Sequence, residues 1–216
     1  ERGWYAQTDC ELQRALAGYY GNITQMDACI GRVLDALETE GLSQNTIVVY
    51  TSDHGEMAGA HRMWTKHNMY EQSVNVPLMM RLPNNTSHTI YSDLIEHIDL
   101  YPTLSDLCQL PPPQNIHGQS FAPLLRGEPH TPRPHVYAEY DFCHGVFTRD
   151  DRYVGKPPIL MVRTKHWKLN LLTWAESELF DLQNDPHEFV NVIHDPTNAH
   201  IVQELTAIAQ QTYQQQ

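Results

Sequence analysis

The sequence is poor in basic residues and lacks any long apolar run. Its 14 lysines and arginines are outnumbered by 26 aspartates and glutamates, which gives a formal net charge of −12. Because nucleic-acid binding relies on clustered basic side chains, this balance argues against a nucleic-acid partner. No apolar run approaches the roughly 20 residues that a membrane-spanning helix needs, so no membrane partner is predicted.

Cysteine is also scarce, and the four cysteines lie far apart at Cys10, Cys29, Cys108 and Cys143. None belongs to a CxxC pair, which argues against a structural zinc site. Scattered cysteines in a chain of this size are typical of free thiols. They favour a reducing compartment such as the cytoplasm, although this signal alone leaves the localisation open.

The first half of the sequence has the pattern of an α/β protein. Apolar residues recur every three or four positions over residues 12–37, which predicts an amphipathic helix with one stripe against a core. Apolar runs at 46–51 and 76–82 predict two strands. A short strand over 94–98 and a helix from Asp99, as its N-cap, to about Leu107 are predicted next.

The last third changes character. Strand-like runs at 136–140, 159–163, 166–172 and 178–182 predict a small antiparallel sheet, and 201–208 predicts a final amphipathic helix. Polar Lys168 and Asn170 alternate with apolar neighbours, which predicts one buried face.

Three prolines within 127–134 mark a predicted boundary. We therefore expect residues 1–128 to form an α/β core, as part of a mixed sheet flanked by helices. Residues 129–216 should form a small α+β subdomain.

The candidate chemistry lies in the loop after the first strand. Asp53 and His54 follow that strand directly, where α/β sheets bind ligands, and a carboxylate and an imidazole can share one cation. Lys66 offers a point charge suited to a tetrahedral anion, and His61 and His67 can donate to an anionic oxygen or a leaving group. Ordinary loop side chains would also satisfy this pattern, so the residues alone leave both interpretations open.

Several segments match the motifs of one family in the same order along the chain. They are SDHGE at 52–56 with Gly59, His61 and Lys66, YEQS at 70–73, VPL at 76–78, DLYPTL at 99–104, HGQS at 117–120 with PLLRG at 123–127, VRT at 162–164, WKL at 167–169, and ELFDL at 178–182 with Asp185, Pro186, Glu188 and Asn191. These motifs resemble those of the sulfatase branch of the alkaline-phosphatase superfamily.

The resemblance implies roles for the loop residues. Asp53 and His54 would be ligands of a divalent cation, most often Ca²⁺, with Mg²⁺, Mn²⁺ or Zn²⁺ as alternatives. Lys66 would contact the sulfate oxygens and stabilise developing charge, and His61 would support the loop. With the chemistry of the loop, this gives Lys66 and His61 as the predicted catalytic residues, and Lys66 and His67 as the predicted substrate-binding residues. The implied function is hydrolysis of a sulfate ester of a small molecule or sugar. The adjacent Asp53 and His54 also resemble phosphodiester and phosphonate monoester hydrolases of the superfamily.

Two family features are absent from the sequence. It contains no C/S-x-P-x-R motif, the context in which the family forms its formylglycine nucleophile, and no strand ending in paired aspartates. The pair Asp150 and Asp151 has no strand before it and is interpreted as a solvated turn.

We therefore expect the C-terminal half of a longer sulfatase, with formylglycine only in the N-terminal half. Such a fragment should be inactive alone, and it should bind the N-terminal half or self-associate through an exposed sheet edge. A non-catalytic sulfatase-like module is the alternative.

Overall fold

The chain folds into two units, Glu1–Thr89 and Ile90–Gln216, and each contains one sheet. The computed structural model describes residues 8–84, 88–141 and 154–215. The two units are groups of residues that lie close in space, which does not show that either of them folds alone. The predicted domain boundary near residue 128 therefore stays a prediction.

The first unit begins with a long helix, α1, Asp9–Thr39. Its start is fixed by a capping box, in which the Thr8 hydroxyl oxygen accepts the Glu11 N–H at 3.2 Å and the Glu11 carboxylate accepts the Thr8 N–H at 3.0 Å. This confirms the predicted helix and extends it by a turn.

Two short strands follow α1. Strand β1, Val48–Thr51, pairs antiparallel with β2, Leu78–Arg81, so that Thr51 lies opposite Leu78. The long connection between them contains only a 3-10 turn, Ala60–Arg62, and a one-turn helix, α2, Glu71–Val74. Both predicted strands are confirmed, and the connection contains all the predicted site residues.

The apolar stripe of α1 is covered less than its sequence predicts. No residue of this helix is buried. Apolar residues near both ends, such as Leu16 and Leu34, are half-buried, whereas every residue from 20 to 29 is exposed. Periodicity shows that a helix has an apolar face, but it does not show what covers that face.

The second unit contains the main core. Helix α3 spans Leu100–Leu107 and α4 spans Ala122–Arg126. Strands β3 (Val136–Tyr140), β4 (Ile159–Arg163), β5 (Trp167–Leu171) and β6 (Glu178–Asp181) form an antiparallel sheet in that order, and helix α5 spans Ala199–Gln214. Its core is built from one face of the sheet and from α5 and consists of Leu160, Val162, Leu169, Leu179, Leu205 and Ala209.

This arrangement confirms the predicted small antiparallel sheet with a C-terminal helix. The helix is longer than predicted, because polar positions on its exposed face hide its ends from a pattern based on apolar residues.

The strand predicted over residues 94–98 is wrong. The backbone there is irregular and leads into a 3-10 turn, His97–Asp99. Asp99 precedes α3, but its side chain does not cap that helix. Instead its carboxylate accepts the N–H groups of Glu96 at 2.9 Å and Gln119 at 2.7 Å, and it pairs with Arg133. The carboxylate thus connects three segments of the second unit.

Strand β5 also differs from its predicted pattern, because its polar residues are buried on the face predicted to be solvated. Lys168 is fully buried and Asn170 is 2% exposed. Lys168 pairs with Glu188, and the Asn170 amide donates to the Glu178 carboxylate at 3.0 Å. Both faces of this strand are therefore covered.

Two further predictions concern the cysteines and the membrane. Cys10, Cys29 and Cys108 are free and exposed, and Cys143 lies outside the described residues. Among the described residues, no helix combines the length and apolar character that crossing a bilayer requires.

Candidate active site

Asp53 and His54 lie just past the end of β1, and each has a side-chain atom, close to the other, that could bind a cation. The Asp53 Oδ2 and His54 Nε2 atoms are 3.5 Å apart. The other ring nitrogen, His54 Nδ1, lies 2.9 Å from the Gly55 carbonyl oxygen. Because a carbonyl can only accept, this contact places the proton of a neutral ring on Nδ1. The lone pair of Nε2 then faces the same region as the carboxylate.

Gly55 fixes the direction in which the chain leaves these two residues. Its N–H donates to the Ser73 carbonyl oxygen at 2.8 Å. A Cβ atom at this position would lie only 1.9 Å from the Gln72 carbonyl oxygen. Only glycine allows this close approach of two backbone segments, so Gly55 connects the end of β1 to α2.

Glu56 closes the following loop. Its Oε1 atom accepts the N–H of Ala58 at 3.3 Å and also the N–H of Thr65. The backbone adds a hydrogen bond from the Met57 N–H to the Thr65 carbonyl oxygen at 2.9 Å. These contacts close the loop between Glu56 and Thr65. Lys66 therefore directly follows a residue that is hydrogen-bonded to the start of the loop. The sequence analysis did not predict this role of Glu56. A carboxylate next to a Gly-rich loop is the feature that could have indicated it.

Lys66 and His67 share an electrostatic environment with Asp53 and His54. Desolvation raises the pKa of Asp53, but the charge of His54, backbone N–H groups and Lys66 together outweigh it, so the pKa of Asp53 is lowered. Burial, followed by Lys66 and His54, lowers the pKa of His67. At neutral pH the site therefore combines an ionised Asp53 with a neutral His67. The structure thus brings four of the five predicted site residues together.

His61, the fifth predicted residue, is held by packing. It adopts a left-handed backbone conformation with φ of 50°. Its ring stacks on the Tyr70 ring, with centroids 4.1 Å apart and planes 12° from parallel. This position agrees with support of the loop, whereas a catalytic role for His61 stays a prediction.

The donor set fits part of a cation site. Within the described ranges, no group of three or more His, Cys, Asp or Glu side chains could hold a metal ion. Asp53 and His54 supply one carboxylate and one imidazole, which suits a divalent cation but falls short of four ligands for Zn²⁺ or six to eight for Ca²⁺. Asp150 and Asp151 lie outside the described residues.

The fold and this loop define a class of protein, namely an α/β protein with a carboxylate, an imidazole and a lysine in the loop after a strand. Two family models match the chain: Sulfatase over residues 1–110, and N-sulphoglucosamine sulphohydrolase, C-terminal, over residues 59–215. The chain therefore belongs to the sulfatase family.

The chain is similar to part of a longer human protein. It is 36% identical to human arylsulfatase K over 192 residues, which cover 86% of this chain and 34% of that protein. It therefore spans about a third of the length of the curated relatives it matches.

Two solved structures show the same fold. A 2-O GAG sulfatase matches with a TM-score of 0.85 and 29% identity, over 97% of this chain and 45% of that one. A phosphonate monoester hydrolase from Silicibacter pomeroyi matches with a TM-score of 0.86 and 29% identity, over 97% and 43%.

Proposed function

We propose that this chain supplies the metal-binding strand end and the sulfate-contacting lysine of a metal-dependent sulfatase. The observation that carries the proposal is the 3.5 Å separation of Asp53 Oδ2 and His54 Nε2. Their side chains are 84% and 40% exposed, so a cation and a substrate can both reach them.

Asp53 and His54 would hold the cation, and a bound divalent cation would act as a Lewis acid toward a sulfate oxygen. The lowered pKa of Asp53 keeps its carboxylate ionised throughout the neutral range, so proton competition at this ligand is weak. The contact to Gly55 keeps His54 in the tautomer whose Nε2 can bind a cation.

Lys66 and His67 would act on the anionic part of the substrate. Lys66 contributes a positive charge that stabilises negative charge on the sulfate oxygens as the ester bond breaks. Because His67 has a lowered pKa, it stays neutral and donates a hydrogen bond without adding charge. The substrate class we propose is a sulfate ester of a small molecule or sugar.

Cation binding by the chain itself is the first test. We expect isothermal titration of Ca²⁺, Mg²⁺, Mn²⁺ and Zn²⁺ to show weak binding by at least one of them. Asp53→Ala and His54→Ala should each remove this binding, whereas Asp35→Ala, at an exposed position on α1, should keep it. Binding that survives both site variants would exclude these residues as ligands.

A phosphonate or phosphodiester hydrolase is the second candidate, and the structural similarity to the Silicibacter pomeroyi enzyme favours it. Substrate comparison separates the two functions. The chain alone should hydrolyse neither p-nitrophenyl sulfate nor a p-nitrophenyl phosphonate monoester, because its sequence contains no nucleophile motif.

Co-expression with the part of human arylsulfatase K that this chain does not match should restore turnover of the sulfate. Faster turnover of the phosphonate would favour the second candidate. If the chain alone hydrolysed either substrate, the proposal that it contains only part of the active site would be wrong. Cation binding by the co-expressed complex without hydrolysis of any ester would support the non-catalytic alternative.

A further inference from the structure

A cavity of about 510 Å³ lies in the second unit, between α3 and the loop that follows this helix. Its volume falls within the roughly 300–1,000 Å³ of sites that hold small organic molecules. None of its lining residues is used in the proposed function. Its apolar lining consists of Pro102, Leu110, Pro112, Pro113 and Ile116.

The fold holds the walls of this cavity in place. A Cβ atom on Gly118, which also lines the cavity, would lie only 2.1 Å from the Ile98 carbonyl oxygen, so the loop runs directly against the segment before α3. Further along the loop, the Phe121 N–H donates to the Thr103 hydroxyl oxygen at 3.0 Å. Proline also restricts the backbone of the loop. The cavity is therefore preformed, which lowers the cost of binding a ligand.

The polar side of the cavity carries an excess of negative charge. The Asp106 carboxylate accepts hydrogen bonds from Arg126 Nη1 and from the Ser120 hydroxyl, each at 3.0 Å. Arg126 also donates from Nε to Glu128 Oε1 at 3.0 Å. Two carboxylates thus share one guanidinium, which leaves one negative charge in excess within this group. The hydrogen bonds from Arg126 and Ser120 lower the pKa of Asp106, so its carboxylate is ionised at neutral pH.

The Asp106 carboxylate can accept a further hydrogen bond. Its Oδ1 atom accepts the bond from Arg126 and its Oδ2 atom accepts the bond from Ser120. An ionised carboxylate offers about four lone-pair sites, and the side chain is 36% exposed. A cationic donor can therefore bind to Asp106 without displacing either neighbour.

We propose that this cavity binds a small organic cation, in which an ammonium group donates to Asp106 and an apolar ring or chain packs against Leu110, Ile116 and the prolines. The excess negative charge favours a cation over an anion. The apolar walls favour an organic cation over a hydrated metal ion, which would need more oxygen ligands. This site is independent of the proposed sulfatase function, because its test needs neither a bound metal nor hydrolysis.

Three probes with the same phenyl ring and carbon chain test the charge preference, namely 4-phenylbutylamine, 4-phenylbutanol and 4-phenylbutyrate. Isothermal titration of the whole chain at neutral pH measures their binding. We expect the protonated amine to bind about tenfold more tightly than the alcohol, because hydrogen bonds between charged groups are the stronger ones. The anionic butyrate should bind most weakly.

Two variants separate the charged contact from the apolar one. Asp106→Asn should weaken binding of the amine about tenfold and should leave binding of the alcohol unchanged. Ile116→Ser should weaken binding of both, because it removes apolar contact area. Glu204→Gln is the matched control, since it removes one carboxylate at an exposed position on α5. Circular dichroism and thermal unfolding show whether each variant keeps its fold.

The proposal is supported if the amine binds most tightly and only Asp106→Asn, among the two charge variants, removes this preference. It is overturned if the amine shows no saturable binding, if the three probes bind equally, or if Glu204→Gln has the same effect as Asp106→Asn. A lysine-containing peptide that binds where the free amine does not would show a peptide-docking surface and would also overturn it.

Discussion

Lys168 on β5 and Glu188 after β6 form an ion pair in which both side chains are completely buried, with 2.8 Å between Nζ and Oε1. Both residues fall in segments that match sulfatase motifs. Their contact shows what these two motifs do in the fold, since they attach the loop after β6 to the sheet. Within the second unit, the pair therefore holds the loop after β6 against the buried face of β5.

Breaking this pair should destabilise the second unit. Lys168→Met removes the cationic partner of the buried Glu188 carboxylate, and we expect a loss of about 3–5 kcal/mol in the free energy of unfolding. Urea denaturation followed by tryptophan fluorescence provides the measurement. The double variant Lys168→Met with Glu188→Leu should recover much of the loss, because it leaves no buried charge. Lys165→Met, at an exposed neighbouring position, should be nearly neutral, and an equal loss there would contradict the assignment.

Glu56 should control the order of the loop that carries Lys66. Glu56→Ala removes the acceptor for the N–H groups of Ala58 and Thr65. A hydrogen bond to a charged group contributes about 1.5–3 kcal/mol, so local opening should become about tenfold to 100-fold more frequent. Hydrogen exchange of the Thr65 amide measures this change. Glu38→Ala, at an exposed position on α1, is the control, and the prediction fails if Thr65 exchanges at an unchanged rate.

Substitution of two glycines should have opposite effects. Gly55→Ala places a Cβ 1.9 Å from the Gln72 carbonyl oxygen, which forces the two backbone segments apart. We expect a loss of about 1–3 kcal/mol and a displaced Asp53 and His54. Gly21→Ala meets nothing within 4 Å and lies inside α1, so it should stabilise the helix by about 0.5–1 kcal/mol. Thermal unfolding compares the two, and a Gly55→Ala variant as stable as the wild type would contradict the role of the close backbone approach.

The stability of the second unit should fall in mild acid because of His135. Burial, and then the neighbouring Arg133, lower the pKa of His135 below its ordinary value of 6.5. Between these two pKa values the unfolded chain binds a proton that the folded chain does not, so the free energy of unfolding falls as the pH drops below about 6.5. Above that pH, the histidine is neutral in both states and its contribution is complete.

Urea denaturation from pH 8 to pH 5 tests this dependence. His135→Gln should flatten the decline below pH 6.5 and should leave only a constant difference from the wild type above pH 7.5. If the free energies of unfolding of the wild type and of His135→Gln changed in parallel over the whole pH range, His135 would not be the cause of the decline.

Lys66 should act on catalysis rather than on folding. In a complex with restored sulfatase activity, Lys66→Met should lower kcat/KM about 100-fold to 1,000-fold, the usual effect of removing one group that stabilises a developing oxyanion. Lys66→Arg should retain part of the activity, because it keeps the charge but changes its geometry. An unchanged rate in Lys66→Met, with the protein folded and the complex intact, would remove Lys66 from the site.

The family and most of the helices and strands could be predicted from the order of the residues alone. Strands β3 and β4 follow runs predicted at the same residues, because alternating and β-branched positions in short segments bounded by turns leave few alternatives. The ordered motifs around Asp53, His54 and Lys66 identified the sulfatase family, and the two family models confirm it. Local chemistry and linear order are properties that a sequence carries directly.

Contacts between residues far apart in the chain became visible only in the folded protein. The sequence predicted Lys168 on a solvated face, and Glu188 covers it. It predicted Asp99 as the N-cap of α3, whereas the Asp99 carboxylate holds three segments together. It also treated Glu56 as part of a motif, whereas the fold makes this carboxylate the closure of the loop. These outcomes depend on partners far away in the chain, and the period of a local pattern contains no information about such partners.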